Sequence, residues 1–172
     1  MTEIEHIDPT GLGLLLVAAV SLPLALDFLT DYAAGSVATW LGVLIIFTGV
    51  LAYLANSRFG MTVLVLVGIA VVFSGTDSLG AWGAIVFGII FLFFIYWAYA
   101  LKLPKLMVLL LTTTALIFLL VGVISIVGND GSSTDSIETI LGVVALFNFI
   151  FNFWLGIGLC TEGCEKGSIP YF

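Results

Sequence analysis

Thr112, Thr113 and Thr114 follow one another inside a long apolar stretch, and Asn148 and Asn152 stand four residues apart in another. Hydroxyls and carboxamides are the groups that can replace part of a solute's hydration shell on the way through a membrane. They can equally hold helices together, because an amide in hydrocarbon is costly unless it is paired. A spacing of four puts Asn148 and Asn152 on one helix face. Three successive threonines point in different directions. One or two can bond back to their own helix carbonyls, and at least one is expected to face the bundle interior. Both readings, glue and wet path, stay open at this point.

Little other chemistry is available. The one histidine is His6, in the polar N-terminal stretch, so a zinc site, a catalytic triad or a histidine base within the apolar segments is excluded. Cys160 and Cys164, beside Glu162 and Glu165, could in principle hold a metal, but two ligands at one helix end are weak evidence, and a structural or incidental pair is the better reading. No enzyme signature is present and no cofactor is expected. Asp27 is the acid closest to an apolar stretch, at its end, where it either titrates with transport or sits among headgroups. Pro23 interrupts the same stretch and removes the helical hydrogen bond to the carbonyl of Ala19.

These groups are positioned by elements that composition identifies. Of 172 residues 62% are hydrophobic and 9% are charged, with a mean hydropathy of +1.29. So few charges cannot cover a water-exposed surface, and most of the surface must face lipid. A spanning helix needs about 20 mostly apolar residues. Six stretches meet that: 11–28, 37–55, 61–74, 82–101, 106–127 and 137–159, the third extended by Arg58 and Phe59 at the interface. The expectation is an all-α polytopic membrane protein, one domain over 1–172. The acidic N-terminal residues lack the basic region of a signal peptide, so the first stretch is expected to stay as a helix. The net charge of −7, with four basic residues, argues against nucleic acid.

Orientation follows from those four cations. With six spans, Arg58, Lys102, Lys105 and Lys166 all fall on one side, which the positive-inside rule makes cytoplasmic together with both termini. Asp31, Asp77, Asp130 and Asp135 fall on the other. Gly80, Ala84 and Gly88, spaced by four, form a small-residue stripe suited to close helix approach. Leu41-Gly42-Val43, Trp82-Gly83-Ala84 and Leu141-Gly142-Val143 open the second, fourth and sixth stretches alike, which a repeated helix-pair unit would explain. Trp40, Trp82, Trp97 and Trp154 lie near span ends, as interfacial anchors do.

The order of these pieces resembles the acetate uptake transporter family. Its opening Asn-Pro-Ala-Pro-Leu-Gly-Leu motif is matched by Asp8-Pro9-Thr10-Gly11-Leu12-Gly13-Leu14, with Asp8 for the Asn and Gly11 for the second Pro. Asn56-Ser57-Arg58-Phe59-Gly60 matches the short basic loop after the second helix, Leu101-Lys102 the end of the fourth, and Gly167 with Pro170 the tail. The resemblance implies a multi-pass protein of the plasma or inner membrane that moves acetate or a related monocarboxylate with a proton. It also implies a homo-oligomer, a hexamer, with a path in each subunit. The family's narrowing by Phe, Tyr and Leu on helices one, three and five falls at Val17, Val67 and Thr113 or Thr114. Two aromatics are replaced, so a wider, less aromatic constriction is expected. Val17 and Val67 would form an apolar gate, Thr112, Thr113, Thr114 and Asn148 would replace hydration, and Asp8 and Gly13 would shape the cytoplasmic mouth. A channel for a neutral solute such as urea, suited by the lack of cations in the spans, and a non-transporting accessory subunit are the alternatives.

Overall fold

The structure is a computed structural model that describes residues 9–30, 37–128 and 132–161. Six helices make it up: α1 (Thr10–Thr30), α2 (Val37–Leu54), α3 (Arg58–Gly75), α4 (Gly80–Ala100), α5 (Lys105–Val127) and α6 (Ser132–Thr161). Each is long and apolar enough to cross a bilayer. Lipid cannot hydrogen-bond backbone N–H and C=O groups, so a chain this apolar must satisfy them within helices. Large side chains on the outside agree with lipid as the solvent: Leu54 is 69% exposed, Phe93 70% and Trp40 75%. This is a multi-pass membrane protein.

Three of the connections close in the same way. At the end of α2 the N–H of Ser57 donates to Ala52 O and that of Asn56 to Tyr53 O. At the end of α3 the pairs are Ser78 to Phe73 and Asp77 to Ser74, and at the end of α4 Leu103 to Ala98 and Lys102 to Tyr99. This paired pattern satisfies the last carbonyls and requires a left-handed residue after the helix. Asn56, Asp77 and Lys102 fill that role with φ of 63°, 53° and 55°. Arg58, Lys102 and Lys105 all lie at one end of the bundle, its basic end, where α1 begins and α6 stops.

The helices pack as three tight pairs, α1 with α6, α2 with α3 and α4 with α5. Glycine makes each possible. A Cβ on Gly42 would stand 2.9 Å from Gly68 O, and one on Gly68 2.8 Å from Gly42 O. Gly11 and Gly156 face each other likewise, each Cβ 3.0 Å from the other's carbonyl oxygen. In the third pair Gly88 lies under Leu119 and Gly122 under Ile85. Of the expected stripe on α4, Ala84 and Gly88 are buried, but Gly80 is not a packing residue. It starts the helix at φ +60° with open space around it. Of the three similar helix openings, Gly42 and Gly142 pack against a partner helix, whereas Gly83 meets only Leu79 of its own chain segment. The pairs join side by side through α5 with α6 and α1 with α2, and α1 also touches α3.

Candidate functional site

Between the pairs lies a cavity of about 370 Å³. It runs from the helix ends that carry Asp27 and Asp77 down to Val17 and Ser21 of α1, Val67 of α3, Thr114 of α5 and Asn148 of α6. Its size suits a small molecule, and its walls are mainly apolar with few polar groups. Helical spacing explains which residues reach it. Val17 and Ser21 are four apart on α1, Val67 and Val71 on α3, Thr114 and Phe118 on α5. Helix α1 continues through Pro23, which lines the cavity, as does Ala19, whose carbonyl loses its helical hydrogen bond to that proline.

The floor of the cavity is a polar belt. Asn148 is 2% exposed and touches groups of three helices. Its Nδ2 donates to Thr114 Oγ1 at 2.8 Å, to Thr113 Oγ1 at 2.9 Å and, more weakly, to Leu110 O at 3.3 Å. Its Oδ1 accepts from Ser21 Oγ at 2.8 Å and from Asn152 Nδ2 at 2.9 Å. Ser21 Oγ is also 2.9 Å from Val17 O, so its single hydrogen serves one acceptor at a time. Thr113 and Thr114 donate to Leu110 O, each at 2.9 Å. Asn152 Nδ2 also donates to Asn148 O at 2.8 Å. Asn152 Oδ1 is fully buried and, among the described residues, is without a hydrogen-bond partner. Such a group costs about 1–3 kcal/mol.

One helical turn closer to the basic end, the interior is filled. Leu14 lies three residues before Val17, Leu64 three before Val67 and Leu110 four before Thr114. They are exposed to 2%, 1% and 2% and belong to one continuous apolar core. The cavity is therefore open toward one end and closed toward the other.

Of the residues singled out in the sequence, Val17, Val67, Thr114 and Asn148 line this one cavity. Thr113 stands behind it, as an acceptor for Asn148. Thr112 is not part of the belt; its hydroxyl donates to Val108 O at 2.8 Å within its own helix. Gly13 lies away from the cavity, buried where α1 meets α2 and α3, and a Cβ there would stand 2.9 Å from Thr48 Oγ1 and run into the Leu64 side chain. Asp8 lies outside the described residues, as do Cys164, Glu162, Glu165 and Lys166. Among the described residues no three metal-ligating side chains cluster.

Ser21 and Phe118 are among the lining residues that were not anticipated. Ser21 is one turn beyond Val17, and Phe118 one turn beyond Thr114; that periodicity was the available signal. Phe118, one turn beyond the level of Val17, Val67 and Thr114, adds an aromatic wall to the cavity. Its ring lines the cavity and stacks on Phe91 at 5.7 Å and 8°. Phe91 continues to Phe94, and Phe94 to Phe59 and Trp97, in edge and tilted contacts.

No protein-family model matches the chain, and no curated protein matches it in sequence. A solved structure does: that of the bacterial acetate channel SatP, with a TM-score of 0.77 over 96% of this chain and 98% of that one, at 19% identity. The two chains share a fold.

Proposed function

We propose that the chain is a divergent member of the acetate uptake transporter family and passes a small monocarboxylic acid, acetate or a close relative, together with its proton. The observation that carries this reading is the convergence of Val17, Val67, Thr114 and Asn148, from four separate helices, on one cavity of a fold shared with an acetate channel. In this mechanism the solute enters from the end bearing Asp27 and Asp77. It sheds water against apolar walls and meets the hydroxyl and amide groups of the belt. It then passes the level of Leu14, Leu64 and Leu110 once these side chains part. Among the described residues no Lys or Arg lines the cavity, which favours the neutral acid over its anion. Asp8 and Gly13 are assigned to the cytoplasmic mouth, Gly13 by setting how closely α1 approaches its neighbours there. The exposed face of α4, with Phe93, Tyr96 and Tyr99, is where protomers of a homo-oligomer, a hexamer by family likeness, would meet in the plasma or inner membrane.

Flux of labelled acetate into proteoliposomes tests this directly. Uptake above that of empty vesicles, steeper at acid pH, is the expected result. No flux at acid or neutral pH rejects the reading and returns the chain to an accessory role in a larger membrane complex. Osmotic swelling in urea against acetate separates an acid pathway from one for neutral amides.

A further inference from the structure

The polar belt has an uneven balance of donors and acceptors. Asn148 Nδ2 carries two hydrogens and already faces three acceptors. Asn152 Nδ2 faces the main-chain and side-chain oxygens of Asn148. The hydroxyl hydrogens of Thr113 and Thr114 are directed to carbonyls of α5, and that of Ser21 to Val17 O or Asn148 Oδ1. Every side-chain hydrogen at this level has an acceptor inside the protein. What is left over is acceptor capacity: Asn152 Oδ1, one helical turn from Asn148 toward the basic end, is buried without a partner among the described residues. The orientation of the Asn152 amide is set by its surroundings. Turned over, its oxygen would face Asn148 O, acceptor against acceptor.

We propose that Asn152 is a specificity-determining residue that selects the protonation state of the solute, a deepening that rests on the acid-conducting reading above. Its Oδ1 accepts the hydroxyl hydrogen of an undissociated acid as that acid passes from the cavity into the closed half. A carboxylate brings acceptors alone. At this level it meets an amide oxygen with no donor to spare and no cation, so it is turned back. The proton thus travels on the solute and needs no titrating side chain within the belt.

The test compares Asn152→Ser with Asn152→Ala in proteoliposomes. The two variants are close in volume and differ by one hydroxyl oxygen, so packing is matched while the acceptor is kept or lost. Labelled acetate flux is measured below and above the acid's pKa, with thermal melting in detergent as a check on folding. Asn152→Ala is expected to lose about tenfold in flux at acid pH, the size of one hydrogen bond. Its ratio of acid-pH to neutral-pH flux is expected to fall, while Asn152→Ser keeps at least about a third of the wild-type flux and most of its pH dependence. Asn152→Leu, which replaces the amide by a larger apolar side chain at a fully buried position, is expected to abolish flux in the fraction that the melting experiment shows to be folded. Equal flux in the Ser and Ala variants, or an unchanged pH ratio in Asn152→Ala, overturns the proposal. Absence of flux in the wild type overturns the acid-conducting reading instead, so the two failures are distinguishable.

Discussion

Along the bundle axis, the half carrying Asp27 and Asp77 encloses a cavity, whereas in the half carrying Arg58, Lys102 and Lys105 the interior around Leu14, Leu64 and Leu110 is filled. The same helices run through both. The difference lies in what each presents to the middle. Toward the acidic end α1 offers Ser21, Pro23 and Asp27, and α3 offers Val71 and Ser74. Toward the basic end the same two helices offer Leu14 and Leu64, and the glycine contact of Gly11 with Gly156 draws α6 against α1. Close packing in one half and a hollow in the other thus need no change of topology. They follow from which side chain each turn delivers inward and how near the backbones lie.

This contrast can be broken or sharpened by substitution. The largest effect is expected at the glycine contacts, because a side chain there meets backbone that cannot rotate away. Gly68→Leu should cost about 3 kcal/mol or more and leave little folded protein, seen as loss of the monodisperse species in detergent. Recovery of a normal yield and melting curve would show that the α2 and α3 contact is looser than described. Next, truncating the filled half should make it resemble the hollow one. Leu14→Ala and Leu64→Ala should each destabilise by about 2–4 kcal/mol and, combined, raise acetate flux several-fold. Flux that falls or stays level in the folded double variant would mean that the closed half does not limit passage.

A smaller effect is expected from the cavity wall. Phe118→Ala removes the ring stacked on Phe91 and should cost about 3 kcal/mol in melting experiments. It should shift preference toward longer monocarboxylates by about tenfold or less, read as relative flux of acetate and butyrate. The smallest change should come from the rim. Asp27→Asn and Asp77→Asn leave shape intact and alter only a field that salt screens, so flux is expected to change by about twofold at most, and less at high salt. A loss of an order of magnitude would place one of these carboxylates in the transport step itself.

Much of the fold was legible in the sequence. Six runs of apolar residues separated by short polar breaks admit few alternatives, and the fall of every basic residue on one side supported an even number of spans. The helix ends fall within five residues of the expected spans, the largest shift being at Ser132, where α6 begins ahead of its apolar run. The site was legible in part. Thr114 and Asn148 stood out because hydroxyls and amides are rare in such runs, and Val17 and Val67 followed from a motif offset. Phe118 and Ser21 were missed, and Thr112, whose hydroxyl bonds back to its own helix, was placed in the pathway. In lipid the outside of a helix is as apolar as the inside, so no polar face marks its rotation. Which phenylalanine among fourteen turns inward is decided by how the three helix pairs lie against one another, and that information is spread over residues far apart in the chain.

The reciprocal glycine contacts have a consequence for how much of the sequence the architecture constrains. Each ties the geometry of a helix pair to two small residues, where even a methyl group would meet a carbonyl oxygen of the opposite backbone. Outward positions carry no such demand, and one oily residue there can be exchanged for another at little cost. A few compact contacts thus fix how the helices lie together, while most of the apolar sequence around them is left free to vary.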